Sequence, residues 1–228
     1  MSVIPISLVV EDPLSESVVR AILTAVNRGY AVGSVYGKGG FGYLRKNAYR
    51  FNQAARGTPY VMLTDLDNAP CAPGLIKNWM GVQTGHPNFI LRIAVREVEA
   101  WLLADGVNLA DFLGVSPKLL PKENVEQLVN PKKTLVDLAA RSKSLEIRQR
   151  VVPKRGSTAK QGPDYNACLD RFIHCGWDVR KACTCSNSLE RAVRCLEKFE
   201  PVWRVDISGS GEGEKSAHLI ECVCPKPT

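Results

Sequence analysis

Two hydrophobic periods alternate along the first hundred residues. Ile4 to Val10, Tyr30 to Tyr36, Tyr60 to Leu63 and Phe89 to Val95 are short runs rich in β-branched and aromatic residues. Their length and continuity predict strands covered on both faces. Between them, apolar residues recur every three to four positions. Val18, Val19, Ile22, Leu23 and Val26 mark one face of a helix from about Ser15 to Asn27, with Gly29 as its C-cap. Tyr43 to Arg56 and Leu75 to Met80 predict two more helices. Strands that alternate with helices predict an α/β fold with a mainly parallel sheet flanked by helices. Beyond Ala100 the pattern is mostly helical, with segments near Asn108 to Gly114, Pro131 to Arg141, Tyr165 to His174 and Ser188 to Phe199. Ser188 is the candidate cap of the last. Residues 142–163 are polar and basic and predict a loop. Val202 to Ile207 and His218 to Val223, on either side of a glycine-rich turn, predict a terminal hairpin. The expected organisation is a core at 1–105, with a helical extension at 106–228 that carries a basic loop and a cysteine-rich tail and packs on the core.

Acids at the strand ends give this pattern its chemistry. In open α/β sheets ligands sit beyond the carboxyl ends of the strands, and three of the runs end in acids: Glu11, Asp65 with Asp67, and Glu97 with Glu99. Asp65 and Asp67, two apart on an extended chain, leave it on the same side. Two carboxylates there suit Mg²⁺ or Mn²⁺, which take oxygen ligands in near-octahedral geometry; a solvated turn is the competing reading of Asp-x-Asp-Asn. Carboxylates brought close together repel, and a divalent cation removes that conflict while it orients a phosphate oxygen. The expected metal ligands are Glu11, Asp65 and Asp67, with Glu97 and Glu99 as further catalytic candidates. If residues 96–104 are helical, Glu97 and Glu99 point about 200° apart, which favours Glu97, nearer the strand end. The three histidines lack a legible carboxylate or cysteine partner, and neither a G-x-S-x-G elbow nor a Walker P-loop is present. Serine-hydrolase and P-loop ATPase chemistry are therefore not expected.

The formal charge of +7 makes polyanions plausible partners. Lys143, Arg148, Arg150, Lys154, Arg155 and Lys160 fall in one segment, where phosphate contacts are expected. Lys38 lies in Gly37-Lys38-Gly39-Gly40-Phe41-Gly42, which formally matches G-x-G-x-x-G but follows the second strand, so a dinucleotide cofactor is not expected. Backbone N–H groups of such a loop can still meet an anion, a triphosphate included; a flexible surface loop is the competing reading. Eight cysteines, seven of them after residue 160, read as free thiols of a cytoplasmic protein. Cys183, Cys185, Cys222 and Cys224 would supply four thiolates for structural zinc, although one intervening residue in each pair is tight for two ligands. No apolar stretch reaches the ~20 residues of a membrane span, and the first residues lack signal-peptide character.

The acid-terminated runs Leu8-Val9-Val10-Glu11 and Leu63-Thr64-Asp65-Leu66-Asp67 resemble the two acidic motifs of the Toprim fold. More narrowly, the chain resembles the DUF4276 group of Toprim-like proteins, related to RloB-type and OLD-type defence proteins. Arg96 to Asp105, Asn130-Pro131-Lys132-Lys133, Gly162-Pro163-Asp164-Tyr165 with Phe172-Ile173, and Ser188-Leu189-Glu190-Arg191 carry this likeness from about Val3 to Leu196. The resemblance implies a Toprim-like sheet whose acids bind Mg²⁺, a nuclease of phage defence and an ATPase partner. Homo-oligomerisation is open. Asp12-Pro13 stands where Toprim proteins usually carry glycine after the first glutamate. An acid there adds a ligand or spoils a close approach, and the second outcome leads to a non-catalytic regulatory or nucleotide-binding subunit.

Overall fold

Each of the four apolar runs becomes a strand because both of its faces can be covered. The computed structural model describes residues 3–37, 39–81, 85–122 and 124–203. Among these, β1 (Ile4–Val9), β2 (Tyr30–Tyr36), β3 (Tyr60–Asp65) and β4 (Phe89–Ala94) form an all-parallel sheet in the order β2-β1-β3-β4. Period two sorts the side chains. Ile4, Ile6, Leu8, Val61, Leu63 and Ile90 enter one core, and Val9, Tyr60, Met62, Phe89 and Ile93 enter the other. Helices α2 (Gly40–Ala54) and α3 (Ala72–Met80) cover the second face. The first face is covered by α1 (Pro13–Val26) and α4 (Val98–Leu103).

The chain beyond α4 adds to the first of these cores rather than building its own. It runs through α5 (Gly106–Leu113), α6 (Pro131–Ala140), α7 (Leu145–Val151), α8 (Tyr165–Cys175), α9 (Val179–Cys183) and α10 (Asn187–Lys198). Leu135, Phe172, Leu189 and Leu196 join Val18, Ile22 and Trp101 in one continuous cluster, and α1 packs against α8, α9 and α10. Each buried Leu or Phe of that set contributes roughly 1.5–3 kcal/mol. Polar ties reinforce the packing. Tyr30 donates its hydroxyl to the Leu196 carbonyl at 2.6 Å, and Arg28 binds the Glu197 carbonyl at 2.7 Å.

The α/β class and the parallel sheet agree with the sequence pattern, while several local expectations are corrected. Residues 142–163 contain a helix, α7, capped by Ser144 and anchored by Ile147 and Val151 one turn apart. Ile147 and Val151 are a single i, i+4 pair in a basic stretch, with Leu145 left exposed, too short a pattern to predict a helix before its packing is known. The left-handed C-cap of α1 is Asn27, at φ 50°, two residues before Gly29. Ser186, not Ser188, caps α10. Ser188 instead accepts the Trp101 indole N–H at 2.7 Å and the Val95 N–H at 3.3 Å. Apart from Val202 and Trp203, the predicted terminal hairpin lies outside the described residues. Among the described residues no helix is long and apolar enough to cross a membrane.

Trp101 is fully buried, so Ser188→Ala leaves its indole N–H without an acceptor. An unsatisfied buried donor costs about 1–3 kcal/mol. The expected result is a lower urea midpoint with an unchanged m-value; an unshifted midpoint would show that Ser188 does not support Trp101.

Candidate functional site

The strand order reverses direction at β1. From there the chain moves out to β2 on one side, while β3 and β4 lie on the other, and a crevice between the loops leaving β1 and β3 is the usual ligand position in this topology. Glu11 follows β1 and Asp65 ends β3 at this point of the topology. β1 pairs Ser7 with Tyr60 and Val9 with Met62, so the same register carried past the strand sets Glu11 level with Thr64. Glu11 Oε1 accepts from the Thr64 hydroxyl and from the Asp65 N–H at 3.1 Å. Asp65 is the last residue of β3, and its Oδ1 accepts the Val98 N–H at 3.0 Å, which seats the start of α4 on the rim.

Asp67 reaches the rim by a different route from the one expected. The strand has ended, and a turn at φ 48° carries the chain into Asp67, whose N–H binds the Arg96 carbonyl at 2.9 Å. Asp67 therefore leaves the strand end through a left-handed turn, tolerated by Asp, and not by strand alternation. Its carboxylate is exposed. Asp12 caps α1 by accepting the Ser15 N–H at 2.8 Å. The loop after β2 needs glycine at 37, because a Cβ there would lie 2.7 Å from the Val10 carbonyl oxygen.

A second layer of side chains closes behind the first. Glu97 has extended backbone at φ −138° and precedes the first turn of α4, so the 200° separation expected within a helix does not apply to it. Its Oε2 accepts the Lys132 N–H at the start of α6, at 2.8 Å, where the helix N-terminus favours an anion. Glu99 is only 1% exposed. Its Oε1 accepts the Tyr165 hydroxyl at 3.0 Å and lies 3.4 Å from Lys132 Nζ, while its Oε2 is buried without a hydrogen-bond partner. Both glutamates thus meet Lys132, one at its backbone and one at its ammonium.

These groups share one electrostatic field. Burial holds the Asp65 carboxyl well above the usual range, and Glu99, Glu11, Asp67 and Asp12 raise it further. Glu11 is raised chiefly by burial, against the lowering effect of the Thr64 and Asp65 hydrogen bonds. Burial likewise raises Glu99, with Lys132 opposing. Burial works against the Lys132 ammonium, but Glu99, Glu97, Asp65 and Asp12 outweigh it and raise its pKa. Among the described residues no three Asp, Glu, His or Cys side chains stand close enough together to hold a metal ion as placed. Glu11 Oε1 and Asp65 Oδ1 are committed to hydrogen bonds, which leaves the second oxygen of each and the Asp67 carboxylate. Oxygen donors of this kind are the chemistry Mg²⁺ and Mn²⁺ prefer, although the three carboxylates do not converge on one point as placed.

The other candidate residues fall elsewhere. Arg148 donates to the Ser142 carbonyl, and Arg150 pairs with Glu146 at 2.9 Å and with Asp164 at 3.7 Å. Lys154, Arg155 and Lys160 are exposed on the loop between α7 and α8. The neck of that loop is closed by bonds from Gly162 N to the Val151 carbonyl and from Asp164 N to the Arg150 carbonyl, one residue before Tyr165. Lys38, Cys222 and Cys224 lie outside the described residues. Cys183 is partly buried, with its thiol pushed up to about 11 by burial, and Cys185 is exposed; a raised thiol pKa works against a zinc thiolate.

Sequence reasoning did not single out Lys132 and Tyr165 as site residues. Both stood within segments of the family resemblance, but nothing along the chain separates Lys132 from Lys133, which forms an exposed pair with Asp137. Only the phase of α6 against α4 distinguishes them.

The raised carboxyls carry a pH signature. A folded-state pKa above the unfolded one means that the folded protein holds the proton more tightly. The associated stability is complete below the unfolded value and is lost as pH rises through the folded value. Without divalent metal, Asp65→Asn keeps an acceptor for Val98 and removes the buried charge. At pH 7 it is expected to raise Tm by about 2–4 °C, the effect of ~1 kcal/mol at this size, and to flatten the fall in stability above the ordinary carboxylate range. Thermal melts from pH 4 to 8 check this, and a destabilised variant at pH 7 would contradict it.

No protein-family model matches the chain, and neither a curated protein nor a solved structure does, so the functional reading is carried by these side chains and the topology that gathers them.

Proposed function

We propose that this chain is a metal-dependent nuclease that cleaves DNA or RNA phosphodiesters, a cytoplasmic effector of phage defence that acts with an ATPase partner. The observation that carries the chemistry is the pairing of Glu11 with Asp65 across the β1/β3 crevice, with the Asp67 carboxylate in the same field. Glu11, Asp65 and Asp67 would hold Mg²⁺ or Mn²⁺. Bound there, the ion supplies Lewis acidity toward a phosphate oxygen and a water activated for attack on phosphorus. Glu97 and Glu99 hold Lys132 at the edge of the acid cluster, where its ammonium can meet a non-bridging phosphate oxygen. The defence setting and the ATPase partner rest on the Toprim-like and DUF4276 resemblance alone.

Incubation of single- and double-stranded DNA and of total RNA with Mg²⁺ or Mn²⁺ is expected to yield cleavage products. Asp65→Ala combined with Asp67→Ala should lower the rate at least about 100-fold, the scale on which loss of one electrostatic stabiliser acts. Undiminished cleavage by the double variant would sink the assignment.

A second reading has its own support. Because no three ligands are grouped as placed among the described residues, the crevice also suits a regulatory or nucleotide-binding subunit without chemistry. Asp12 in place of glycine also favours that reading, and one of its carboxylate oxygens is engaged in capping α1. Calorimetric titration with Mn²⁺ separates the two. The nuclease reading expects saturable binding below millimolar concentration that Asp65→Asn abolishes, whereas absence of binding at millimolar Mn²⁺ favours the regulatory subunit.

A further inference from the structure

Charge is partitioned along the chain in a way that the total of +7 conceals. Residues 17–96 contain ten lysines and arginines and two acids, and the two acids are Asp65 and Asp67. In the layer made of α2, α3 and the turn after α2, Arg45, Lys46, Arg50, Arg56 and Lys77 are all exposed. None of the five forms an ion pair among the described residues, unlike Arg20, Arg28 and Arg150. The outer face of α2 interleaves these cations with two tyrosines. Leu44, Ala48, Phe51 and Asn52 face the sheet, which turns Tyr43, Lys46 and Arg50 outward in one row and Arg45 and Tyr49 in the next. Tyr43 is 36% and Tyr49 46% exposed.

Helix α2 also leads to the acids. It opens at the carboxyl edge of the sheet, after the loop whose Gly37 packs against Val10 immediately before Glu11. Helix α3 opens at the same edge, a few residues after Asp67. The cationic layer therefore runs up to the acidic crevice.

We infer that the outer face of α2, from Tyr43 to Arg50, binds single-stranded polynucleotide and delivers it to the Glu11–Asp65 rim. The inference rests on the nuclease reading and specifies its substrate surface. Cations on one face track phosphates, and exposed aromatic rings stack on bases that a duplex keeps hidden. An anionic membrane also attracts a basic face, but a helix anchored in one carries a continuous apolar face, and the large hydrophobics exposed on α2 are the two tyrosines alone among the described residues.

The test is fluorescence anisotropy of the full chain in EDTA, where cleavage cannot occur, with single-stranded RNA, single-stranded DNA and duplex DNA of equal length; sedimentation with phosphatidylserine vesicles is a further arm. Binding to a single-stranded probe is expected. Arg45→Gln with Lys46→Gln and Arg50→Gln should weaken it and reduce the slope of log K against log salt by about 2, at ~0.7 for each phosphate no longer neutralised. Tyr43→Ala with Tyr49→Ala should weaken single-strand binding roughly tenfold or more, with little change for duplex. Arg45, Lys46, Tyr49 and Arg50 are exposed without a core contact, so their substitutions should leave the melting temperature within about 2 °C of the parent. Tyr43 also meets Phe51 edge-on at 6.4 Å, so Tyr49→Ala alone is the variant that tests stacking if the double tyrosine variant melts lower, and circular dichroism verifies that the variants fold. The arms with RNA and DNA determine which single strand is preferred. Parent-like binding by both α2 variants, with loss instead in Lys154→Gln with Arg155→Gln and Lys160→Gln, would overturn the inference and leave the nuclease reading intact. Duplex-only binding, or capture by vesicles without any oligonucleotide binding, would overturn it as well. The nuclease reading itself stands or falls on the cleavage and Mn²⁺ measurements.

Discussion

A carboxylate cannot be taken out of water without partners, and Glu99 is almost completely out of water. The effective penalty is several kcal/mol per buried ion, and removing one partner of such a pair typically costs about 3–5 kcal/mol. Its partners, Lys132 and Tyr165, come from α6 and α8. The requirement therefore draws two helices from the second half of the chain onto α4, whose six residues are all buried. Asp65 fastens the other end of the arrangement by accepting the first N–H of α4. The surface pairs of the protein, such as Lys133 with Asp137, act on a much smaller scale, about 0–1 kcal/mol each.

The same helices explain why the first half of the chain cannot be treated as a separate core. Helix α1 has α8, α9 and α10 against it, and Trp101 hangs from Ser188 at the start of α10. The rim where β1 and β3 part thus has a packed floor and a charged lip. Such a floor can hold Glu11 and Asp65 close to each other despite their repulsion, because each is tied to backbone or hydroxyl donors. A cation entering the crevice would relieve that repulsion.

Charge of opposite sign lies along the α2 and α3 side of the sheet, with Arg45 and Lys46 in the first half of α2, nearer the rim, and Arg56 and Lys77 toward the far end. An arrangement of this kind concentrates an anionic polymer near the protein before any specific contact forms. The acids then lie where the cationic surface ends, which suits chemistry on a phosphate that has already been drawn in. The basic loop between α7 and α8 offers a second cationic element, anchored beside Tyr165.

Much of this was legible in the amino-acid order. Short apolar runs such as Tyr60 to Leu63, rich in β-branched and aromatic residues and bounded by turn residues, predict strands covered on both faces, and helical spacing between them leads to a parallel sheet. The ends of those strands fall on one edge, so strand polarity alone assigns Glu11, Asp65 and Glu97 to a common rim. Long-range phase was not legible. Whether Lys132 or Lys133 meets the buried carboxylate depends on how α6 rotates against α4, and whether Ser186 or Ser188 caps α10 depends on where Trp101 points. The order of residues along the chain determined the elements and the edge on which the acids gather, because hydrophobic period and strand polarity are local properties. Only the tertiary structure decided that Glu99 turns inward to Lys132 and Tyr165 while Asp67 stays in solvent, because that choice depends on which buried charges find partners far along the chain.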